Sequence, residues 1–269
     1  LRIGDTSTVT FTFSEPVTGF DTGDITAPNG SLSSVVSSDG GTTWSGTYTP
    51  NANIEDSSNT IDVNLSGVQN GKSIAGSGTF SSNNFVIDTK RPTATITLSD
   101  TALKIGDTAK VTLTFSEAVT GLTNGDLFVA NGKVSSISSA DGGITWSATF
   151  TPTQNIEDTT NLITLDNTGV SDLAGNSGSG ETDSENYAID TKRPTVTIDH
   201  SAMSLAVGEM SDVTFTFSEA PVAFSAADIS YDTSSATMGT LTATADPRVF
   251  TATLTPTAAT SDEIGRAHV

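Results

Sequence analysis

The stretch "KVTLTFSEAVTG" at Lys110–Gly121 alternates polar and apolar residues over its first six positions. Val111, Leu113 and Phe115 fall on one face of an extended chain and the threonines between them fall on the other, because successive side chains of a strand point to opposite sides. Such an alternation predicts a half-buried β-strand with one face in a hydrophobic core and the other in water.

The stretch occurs three times. "TVTFTFSEPVTG" begins at Thr8 and "DVTFTFSEAPVA" begins at Asp212, so that Glu15, Glu117 and Glu219 stand 102 residues apart. A period of this length is the size of an independent domain rather than of a solenoid repeat. We therefore expect three tandem copies: 1–91, whose opening strand is missing; 92–193, which is complete; and 194–262, which stops early.

Other strand signals in the second copy are separated by short turn signals such as "TNGD", "DGG" and "LAGNSGSG". These further strand signals are Thr93–Ser99, Ile144–Pro152, Asn161–Asn167 and Asn186–Asp190. Six or seven short strands at this spacing, with no helical periodicity, predict an all-β fold of antiparallel two-sheet sandwiches.

One large apolar position recurs in all three copies. Trp44 and Trp146 are replaced in the third copy by Phe250, each six residues before the proline of a Thr-Pro pair. The apolar bulk is kept while the indole N–H is not, so we expect this position to pack the core rather than to contact a ligand.

Composition restricts the classes of partner. The net charge is −20 and the pI is about 4.1, so the surface repels nucleic acid and anionic lipid but suits divalent cations. The absence of cysteine excludes a disulfide scaffold, a thiolate metal site and a cysteine nucleophile. No apolar run of about 18 residues is present, so we expect no membrane insertion.

The end of the sequence departs from the repeat. "EIGRAHV" at Glu263–Val269 fits no copy and matches the translation of a widely used sequencing adapter, so we interpret it as a non-native tail. His268 therefore carries no functional weight, and His200 is the other histidine.

The chain resembles the bacterial Ig-like repeats of very large surface and biofilm adhesins, including those secreted by type I systems. The residues that carry the resemblance are "VTLTFSEAVTGLTNGDL" (Val111–Leu127), "WSATFTPT" (Trp146–Thr153), "VSDLAGN" (Val170–Asn176) and "AIDTKRPT" (Ala188–Thr195). The resemblance implies tandem Ig-like sandwiches in a linear array at the bacterial cell surface, with other repeats of the chain as partners. It also implies calcium at the joints between domains.

Repeated acids at strand ends are the candidate calcium ligands, because Ca²⁺ prefers carboxylate and carbonyl oxygens. The candidate metal ligands are Glu117, Asp158 and Asp190, with their counterparts Glu15, Asp56 and Asp88. Asp126 and Asp172 rank lower, since Asp172 is replaced in the first copy by Asn70. No calcium loop of the EF-hand or nonapeptide type is present.

Two alternatives need no metal. Aspartates in turns commonly bond their own backbone. In the recurring "IDTKRPT" at Ile87–Thr93 and Ile189–Thr195, lysine and arginine stand where they could pair with Asp88 and Asp190 and fix the joint as a salt bridge. In both copies a proline restricts the crossing to extended backbone, which predicts a stiff joint.

The favoured function is a non-catalytic spacer of an extracellular adhesin. A glycosidase-like pair of carboxylates is disfavoured because the same acids recur in every copy, and one histidine cannot complete a catalytic triad in three copies. One alternative is a module that binds surface glycan or host protein, for which Tyr187 and Tyr231 are the candidate contacts. Another is an accessory module of a phage tail or a secreted polysaccharide-degrading enzyme.

Overall fold

The structure is a computed structural model and describes residues 1–257. The backbone divides into two compact units, one from Leu1 to Thr191 and one that begins at Lys192. The first unit contains repeats 1 and 2, and the second contains the described part of repeat 3. The prediction of a non-native tail at 263–269 lies outside the described residues.

Within residues 1–257 the regular structure consists of strands and five single-turn 3₁₀ helices. The strands of repeat 1 are β1 (Ser7–Thr12), β2 (Val17–Thr18), β3 (Ile25–Thr26), β4 (Gly30–Leu32), β5 (Val36–Ser37), β6 (Thr43–Pro50), β7 (Glu55–Asn59), β8 (Asp62–Asn64), β9 (Gln69–Asn70), β10 (Thr79–Ser81) and β11 (Phe85–Asp88). The strands of repeat 2 are β12 (Ala94–Leu98), β13 (Ala102–Lys104), β14 (Ala109–Phe115), β15 (Val119–Thr120), β16 (Leu127–Val129), β17 (Gly132–Val134), β18 (Ser138–Ser139), β19 (Thr145–Pro152), β20 (Glu157–Asn161), β21 (Ile163–Asp166), β22 (Ser171–Asp172), β23 (Glu181–Asp183) and β24 (Tyr187–Asp190). Repeat 3 contributes β25 (Val196–His200), β26 (Ser211–Phe217), β27 (Ala236–Met238), β28 (Thr242–Ala243) and β29 (Val249–Pro256). The 3₁₀ helices are Thr22–Asp24, Leu65–Gly67, Asn124–Asp126, Asn167–Gly169 and Ala226–Asp228.

The alternation in the opening stretch has the predicted consequence. Val111 and Leu113 on β14 are fully buried, and Phe115 is 4% exposed. They share one core cluster with Ile163 of β21 and Ile189 of β24, which approach from the other side of the sandwich. The predicted all-β fold of tandem two-sheet sandwiches is therefore confirmed.

One sheet recurs in all three repeats. In repeat 2 its order is β12–β14–β19–β17, with β18 also on β19. In repeat 3 the order is β25–β26–β29–β27, and in repeat 1 it is β1–β6–β4. The pairing is antiparallel throughout this sheet and keeps one register, because Phe11 faces Trp44, Leu113 faces Trp146 and Phe215 faces Phe250.

The recurrent aromatic position packs as predicted. Trp44, Trp146 and Phe250 are all partly buried against the core of their own repeat. The indole N–H of Trp146 donates to the Gly143 carbonyl at 3.0 Å, a local bond that a phenylalanine does without. The prediction that this position packs the core is confirmed.

One pair of strands departs from the antiparallel expectation. After β12 the chain turns within three residues, and β13 pairs in parallel with β24, so that Leu103 lies beside Ile189. Leu103 is 1% exposed and belongs to the same core cluster as Ile189. The parallel contact thus places Leu103 in the core beside the last strand of the repeat.

Candidate metal centre

Five residues connect repeats 1 and 2, from Thr89 after β11 to Thr93 before β12. Thr89 fixes the beginning of this crossing, because its buried hydroxyl donates to the Asn51 carbonyl at 2.6 Å and accepts from Ile54 N at 3.0 Å. Pro92 is buried as well. The threonine of the recurring "IDT" thus anchors the joint, a role that the sequence indicated only by repeating it.

Three carboxylates meet at this joint. Asp88 ends β11 of repeat 1, Glu117 lies in the turn after β14, and Asp172 ends β22. The turn from β14 leads into β15, where Val119 pairs with Asp172, and this pairing brings Glu117 and Asp172 together. One carboxylate oxygen from each acid lies within 4.8 Å of the others. This is the one place in residues 1–257 where three potential metal ligands converge.

The short loop Asp172–Asn176 lies on one side of the three carboxylates. Asp172 is 3% exposed and accepts from Asn176, from its backbone N–H at 2.8 Å and from its side-chain amide at 2.8 Å. Glu117 points into the same space, and its Oε1 is buried without a hydrogen-bond partner. A buried, unpartnered carboxylate oxygen is costly unless something positive or a proton completes it.

Burial and the neighbouring negative charges raise the pKa values of two of these carboxyls. Burial raises the pKa of the Glu117 carboxyl, and the negative charges of Asp172 and Asp88 raise it further. The pKa of Asp88 is also raised, chiefly by burial and then by Asp172 and Glu55, against a lowering hydrogen bond from Lys90 N. At a separation of about 5 Å and an effective dielectric constant of about 20, each fully charged pair repels by roughly 3 kcal/mol.

The side chains of Lys90 and Arg91, which could have formed a salt bridge with Asp88, contact other groups at this joint. Lys90 forms its ion pair with Glu55, at 3.1 Å, and only its backbone N–H reaches the Asp88 carboxylate, at 3.2 Å. The Arg91 guanidinium donates to the Ser177 carbonyl. Among the described residues, the predicted pairing of these two side chains with Asp88 is therefore wrong. The hydrogen bond and charge of Glu55 raise the pKa of the Lys90 ammonium group, and the charges of Glu117 and Asp88 add to the rise, so three carboxylates share one ammonium group.

The same loop joins the two repeats. The Asn176 side chain donates to the Asp88 carbonyl at 2.9 Å and accepts from Ile3 N at 2.8 Å. Arg2 adds a longer bond to the Gly175 carbonyl at 3.4 Å. Asn176 is 2% exposed, so these contacts are shielded from water and set the position of repeat 1 against repeat 2.

Repeat 1 has a different arrangement at the corresponding place. Asn70 stands where repeat 2 has Asp172, and its amide donates to the Glu15 carboxylate at 3.2 Å. Ile74 stands where repeat 2 has Asn176 and is 62% exposed. A neutral amide thus satisfies Glu15, whereas Glu117 faces a second carboxylate, and only the arrangement in repeat 2 requires a cation or a proton.

The remaining candidate ligands lie elsewhere. Asp158 accepts from the Asn131 amide at 2.9 Å and from Thr160 N at 2.9 Å, and Asp56 is bonded in the same way by Asn29 and Ser58. Both belong to amide networks inside their own repeat. Asp190 is the exposed last residue of β24, in register with Glu157.

Asp126 has a local structural role. Its carboxylate accepts from the N–H of Thr123 at 2.8 Å and from the hydroxyl of the same residue at 2.9 Å, which closes a capping box on a 3₁₀ turn. This is the backbone-bonding role that turn aspartates commonly have.

The tyrosines considered for glycan contact are both engaged by the core. Tyr187 is 0% exposed, and its hydroxyl donates to the Ala130 carbonyl at 2.6 Å. Tyr231 is half-buried against the core of repeat 3, and its hydroxyl accepts from Met238 N at 3.2 Å. The prediction that Tyr187 could stack on a sugar is therefore wrong, because no face of the ring reaches the surface.

Three consecutive segments, 1–87, 88–189 and 190–268, match the family model described as a bacterial Ig-like domain. The chain belongs to the bacterial Ig-like domain family. Among solved structures it is similar to FdeC, described as a broadly conserved Escherichia coli adhesin, at 15% identity over 95% of this chain and 84% of that chain. The TM-score of this match is 0.32. No curated protein matches the chain.

Among residues 1–257, no helical segment has the length and hydropathy needed to cross a bilayer.

Proposed function

We propose that this chain is a set of non-catalytic spacer repeats from an extracellular bacterial adhesin, in which calcium fixes the joint between repeats 1 and 2. The observation that carries the proposal is the convergence of Asp88 from one repeat with Glu117 and Asp172 from the next. A cation held by both repeats would link them across the five-residue crossing. Membership of the bacterial Ig-like family supports a modular, repeat-based role.

Calcium fits the residues present. The three side chains offer only carboxylate oxygens, which hard cations prefer, and water can complete the six to eight ligands that Ca²⁺ takes. Glu117 Oε1 is buried and unpartnered, as expected of an oxygen that has a metal to bind. Neutralisation by a divalent ion would also remove the repulsion among Asp88, Glu117 and Asp172.

The non-catalytic role rests on what the repeated acids do. Asp56 and Asp158 are bonded to asparagine amides in equivalent positions of repeats 1 and 2, and Asp126 closes a turn. Acids that hold the same local structure in successive copies are explained by folding. Because fold alone does not determine function, the spacer role needs a measurement of the molecule's extension in solution.

Small-angle scattering of the 269-residue chain, in calcium and in chelator, tests this proposal. A compact globule of this length has a radius of gyration of about 18 Å, and spacer repeats predict a value well above it. With calcium we expect a narrower distribution of interatomic distances than in chelator.

The variant Asp172→Asn provides the control, since it copies Asn70 of repeat 1 and removes one ligand. Its scattering should be insensitive to calcium. A radius of gyration near that of a globule would contradict the spacer role. Identical profiles of the unaltered chain in calcium and chelator would contradict the stiffening by calcium and leave the spacer role standing.

A further inference from the structure

The backbone places Lys90 beside the acids of the joint between repeats 1 and 2. Lys90 follows Asp88 by two residues, and its backbone N–H donates to the Asp88 carboxylate at 3.2 Å. Its ammonium group lies 3.1 Å from the Glu55 carboxylate. Glu55 stands opposite Asp88 in the pairing of β7 with β11, and opposite residues of a strand pair project on the same face. The strand pairing therefore holds a positive charge next to the carboxylate that repeat 1 contributes to the candidate metal centre.

The ammonium group also acts on acids other than Glu55. Burial raises the pKa of the Glu117 carboxyl, and the charge of Lys90 opposes that rise. Burial likewise raises the pKa of Asp88, and the same charge opposes the rise there. From its position on Glu55, Lys90 therefore stabilises the ionised form of one acid from each repeat.

The ion pair with Glu55 allows the lysine to change partner. The two side chains are about half exposed, at 50% for Lys90 and 55% for Glu55. Exposed ion pairs contribute little to stability, and the lysine stem is long and rotatable. Glu117, in contrast, has a buried Oε1 without a hydrogen-bond partner. Movement of the ammonium group toward the acids of the site thus costs little at Glu55 and brings a positive charge closer to that oxygen.

We propose that Lys90 is a tethered counter-ion of the candidate metal centre, which partly neutralises its acids in the absence of a metal ion and weakens calcium binding by repulsion. The inference rests on the calcium site proposed above and concerns a residue that sets its affinity. A calcium ion among Asp88, Glu117 and Asp172 carries two positive charges, so it repels the ammonium group toward Glu55. Glu55 then holds the lysine away from the ion.

This arrangement favours a joint that responds to calcium at high concentration. Protein sites for Ca²⁺ are tuned by the charge of their surroundings, and extracellular modules have Kd values of about 0.1–1 mM. A lysine beside the ligands lowers the net negative charge of the site. The lysine also limits the repulsion among the acids when calcium is withdrawn.

The same residue types recur one repeat later in the sequence. Glu157 stands opposite Asp190 in the pairing of β20 with β24, and Lys192 follows Asp190 by two residues. The lysine thus keeps its spacing from the paired acids in both copies, as expected of a residue that acts together with them.

Calorimetric titration of calcium into the 269-residue chain and into Lys90→Gln tests the competition. Loss of the positive charge should tighten calcium binding about three- to tenfold, as expected for a unit charge within a Debye length of about 10 Å of a divalent ion. Lys90→Arg keeps the charge and should bind calcium like the unaltered chain. The gain in Lys90→Gln should shrink in about 0.5 M sodium chloride, which screens the repulsion.

Two control variants locate the effect. Lys110 is exposed and precedes Glu117 by seven residues, most of them in β14, which places it about 20 Å away. Lys110→Gln should therefore leave calcium binding unchanged. Asp172→Asn removes one ligand of the candidate site, so the addition of Lys90→Gln to that variant should give no gain in affinity.

Glu55→Gln tests the partner of the lysine. Without the Glu55 carboxylate, the ammonium group has the acids of the site as its neighbours, so calcium should bind more weakly than in the unaltered chain. The removed negative charge accounts for part of this loss. The loss should therefore be larger with Lys90 present than in the Lys90→Gln background. Both side chains are half exposed, so these variants should fold, which circular dichroism checks.

Thermal melts distinguish the counter-ion from an ordinary surface ion pair. In chelator, Lys90→Gln should lower the Tm by about 1–4 °C, because the acids lose a neutralising charge. In saturating calcium the difference should be smaller, because the ion then neutralises the acids. A surface ion pair alone predicts the same loss in both conditions.

The results separate the role of Lys90 from the calcium site itself. Equal calcium affinity in the unaltered chain and Lys90→Gln, with one site lost in Asp172→Asn, would overturn the inference and leave the calcium site standing. Equal losses of Tm in calcium and in chelator would overturn it as well. If Asp172→Asn binds calcium as the unaltered chain does, the proposed calcium site is wrong, and the role of Lys90 at that site is wrong with it.

Discussion

Asp172 differs from its counterpart in repeat 1 by one functional group, a carboxylate in place of the amide of Asn70. The amide bonds Glu15, while the carboxylate faces Glu117 and Asp88 and adds to the rise in the pKa of both. The exchange of an amide for a carboxylate therefore distinguishes the hydrogen-bonded pair Asn70–Glu15 in repeat 1 from the site in repeat 2, which requires a cation or a proton.

This difference predicts a pH effect in chelator. The pKa values of Asp88 and Glu117 are raised above 3.8 and 4.5, so the folded joint is stabilised below those values and loses stability as the pH rises through the raised ones. Asp172→Asn removes one cause of the rise. The variant should therefore be the more stable protein at neutral pH, and the difference should shrink on acidification.

Thermal melts in chelator from about pH 4 to about pH 8 measure this difference. A gain of about 1 kcal/mol would raise the Tm by roughly 2–4 °C for a unit of this size. Other carboxyls such as Asp39 and Asp141, with pKa lowered to about 2, affect both proteins alike and cancel in the comparison. Parallel melting curves at every pH would contradict the account of the joint.

For Asp158 we expect an effect on stability that does not depend on calcium. Its carboxylate bonds the Asn131 amide, which also donates to Asn161 at 2.7 Å. Asp158→Ala leaves that amide short of a partner and should cost about 1–3 kcal/mol of unfolding free energy. Melts should show the same loss in calcium and in chelator. A loss that appears only in calcium would make Asp158 a metal ligand instead.

At the scale of single residues, the sequence identified Asp88 and Glu117 as candidates because they recur at strand ends. It ranked Asp172 below them because repeat 1 has asparagine there. In the structure Asp172 belongs to the site because it is buried under Asn176 and lies close to Asp88, 84 positions earlier in the chain. Neither the burial of Asp172 nor its proximity to Asp88 can be predicted from the spacing of the acids in the sequence.

Among the structural elements, the loop Asp172–Asn176 connects the site to the position of repeat 1. Asn176 bonds Ile3 and Asp88 of repeat 1 as well as Asp172 of its own repeat, so one side chain couples the metal candidates to the joint. The first repeat has an exposed Ile74 at the matching position, which makes a reciprocal exchange possible.

Asn176→Ile should loosen this joint. The loss of hydrogen bonds to Ile3 and Asp88 should cost about 1–3 kcal/mol of coupling between the repeats. Hydrogen exchange at the Ile3 amide should accelerate about tenfold or more, since 1.4 kcal/mol corresponds to a factor of ten. Ile74→Asn is the matched control and should leave Ile3 unchanged. Unaltered exchange in the Asn176→Ile chain would show that the loop does not hold repeat 1.

Strands were the elements that the sequence predicted best. The alternation in β14 and β19 predicts which face of each strand is buried. Each inward-facing residue also has an apolar counterpart in the other repeats. The parallel contact of β13 with β24 was not predicted, since Ala102–Lys104 is too short for periodicity to indicate a strand or its direction. The contact accompanies the burial of Leu103, which depends on the assembled core.

At the scale of the whole molecule, the net charge of −20 favours association with cations. General screening by salt acts on exposed charges within about 10 Å, whereas a bound ion acts on the buried oxygens of the joint. The two effects separate by comparing calcium with sodium chloride of equal ionic strength. The length of the repeat and the tandem order were predictable from the period of 102 residues, but the pairing of acids from neighbouring repeats required the folded joint.

Calorimetric titration of calcium into the 269-residue chain, beside Asp172→Asn and Glu185→Gln, counts the calcium ions that each protein binds. Glu185 is exposed, so its variant matches the change in charge without touching the joint. Calcium binding at the joint predicts one calcium site fewer in Asp172→Asn than in the unaltered chain, and no change in Glu185→Gln. Equal numbers of sites with equal affinity in all three proteins would contradict it.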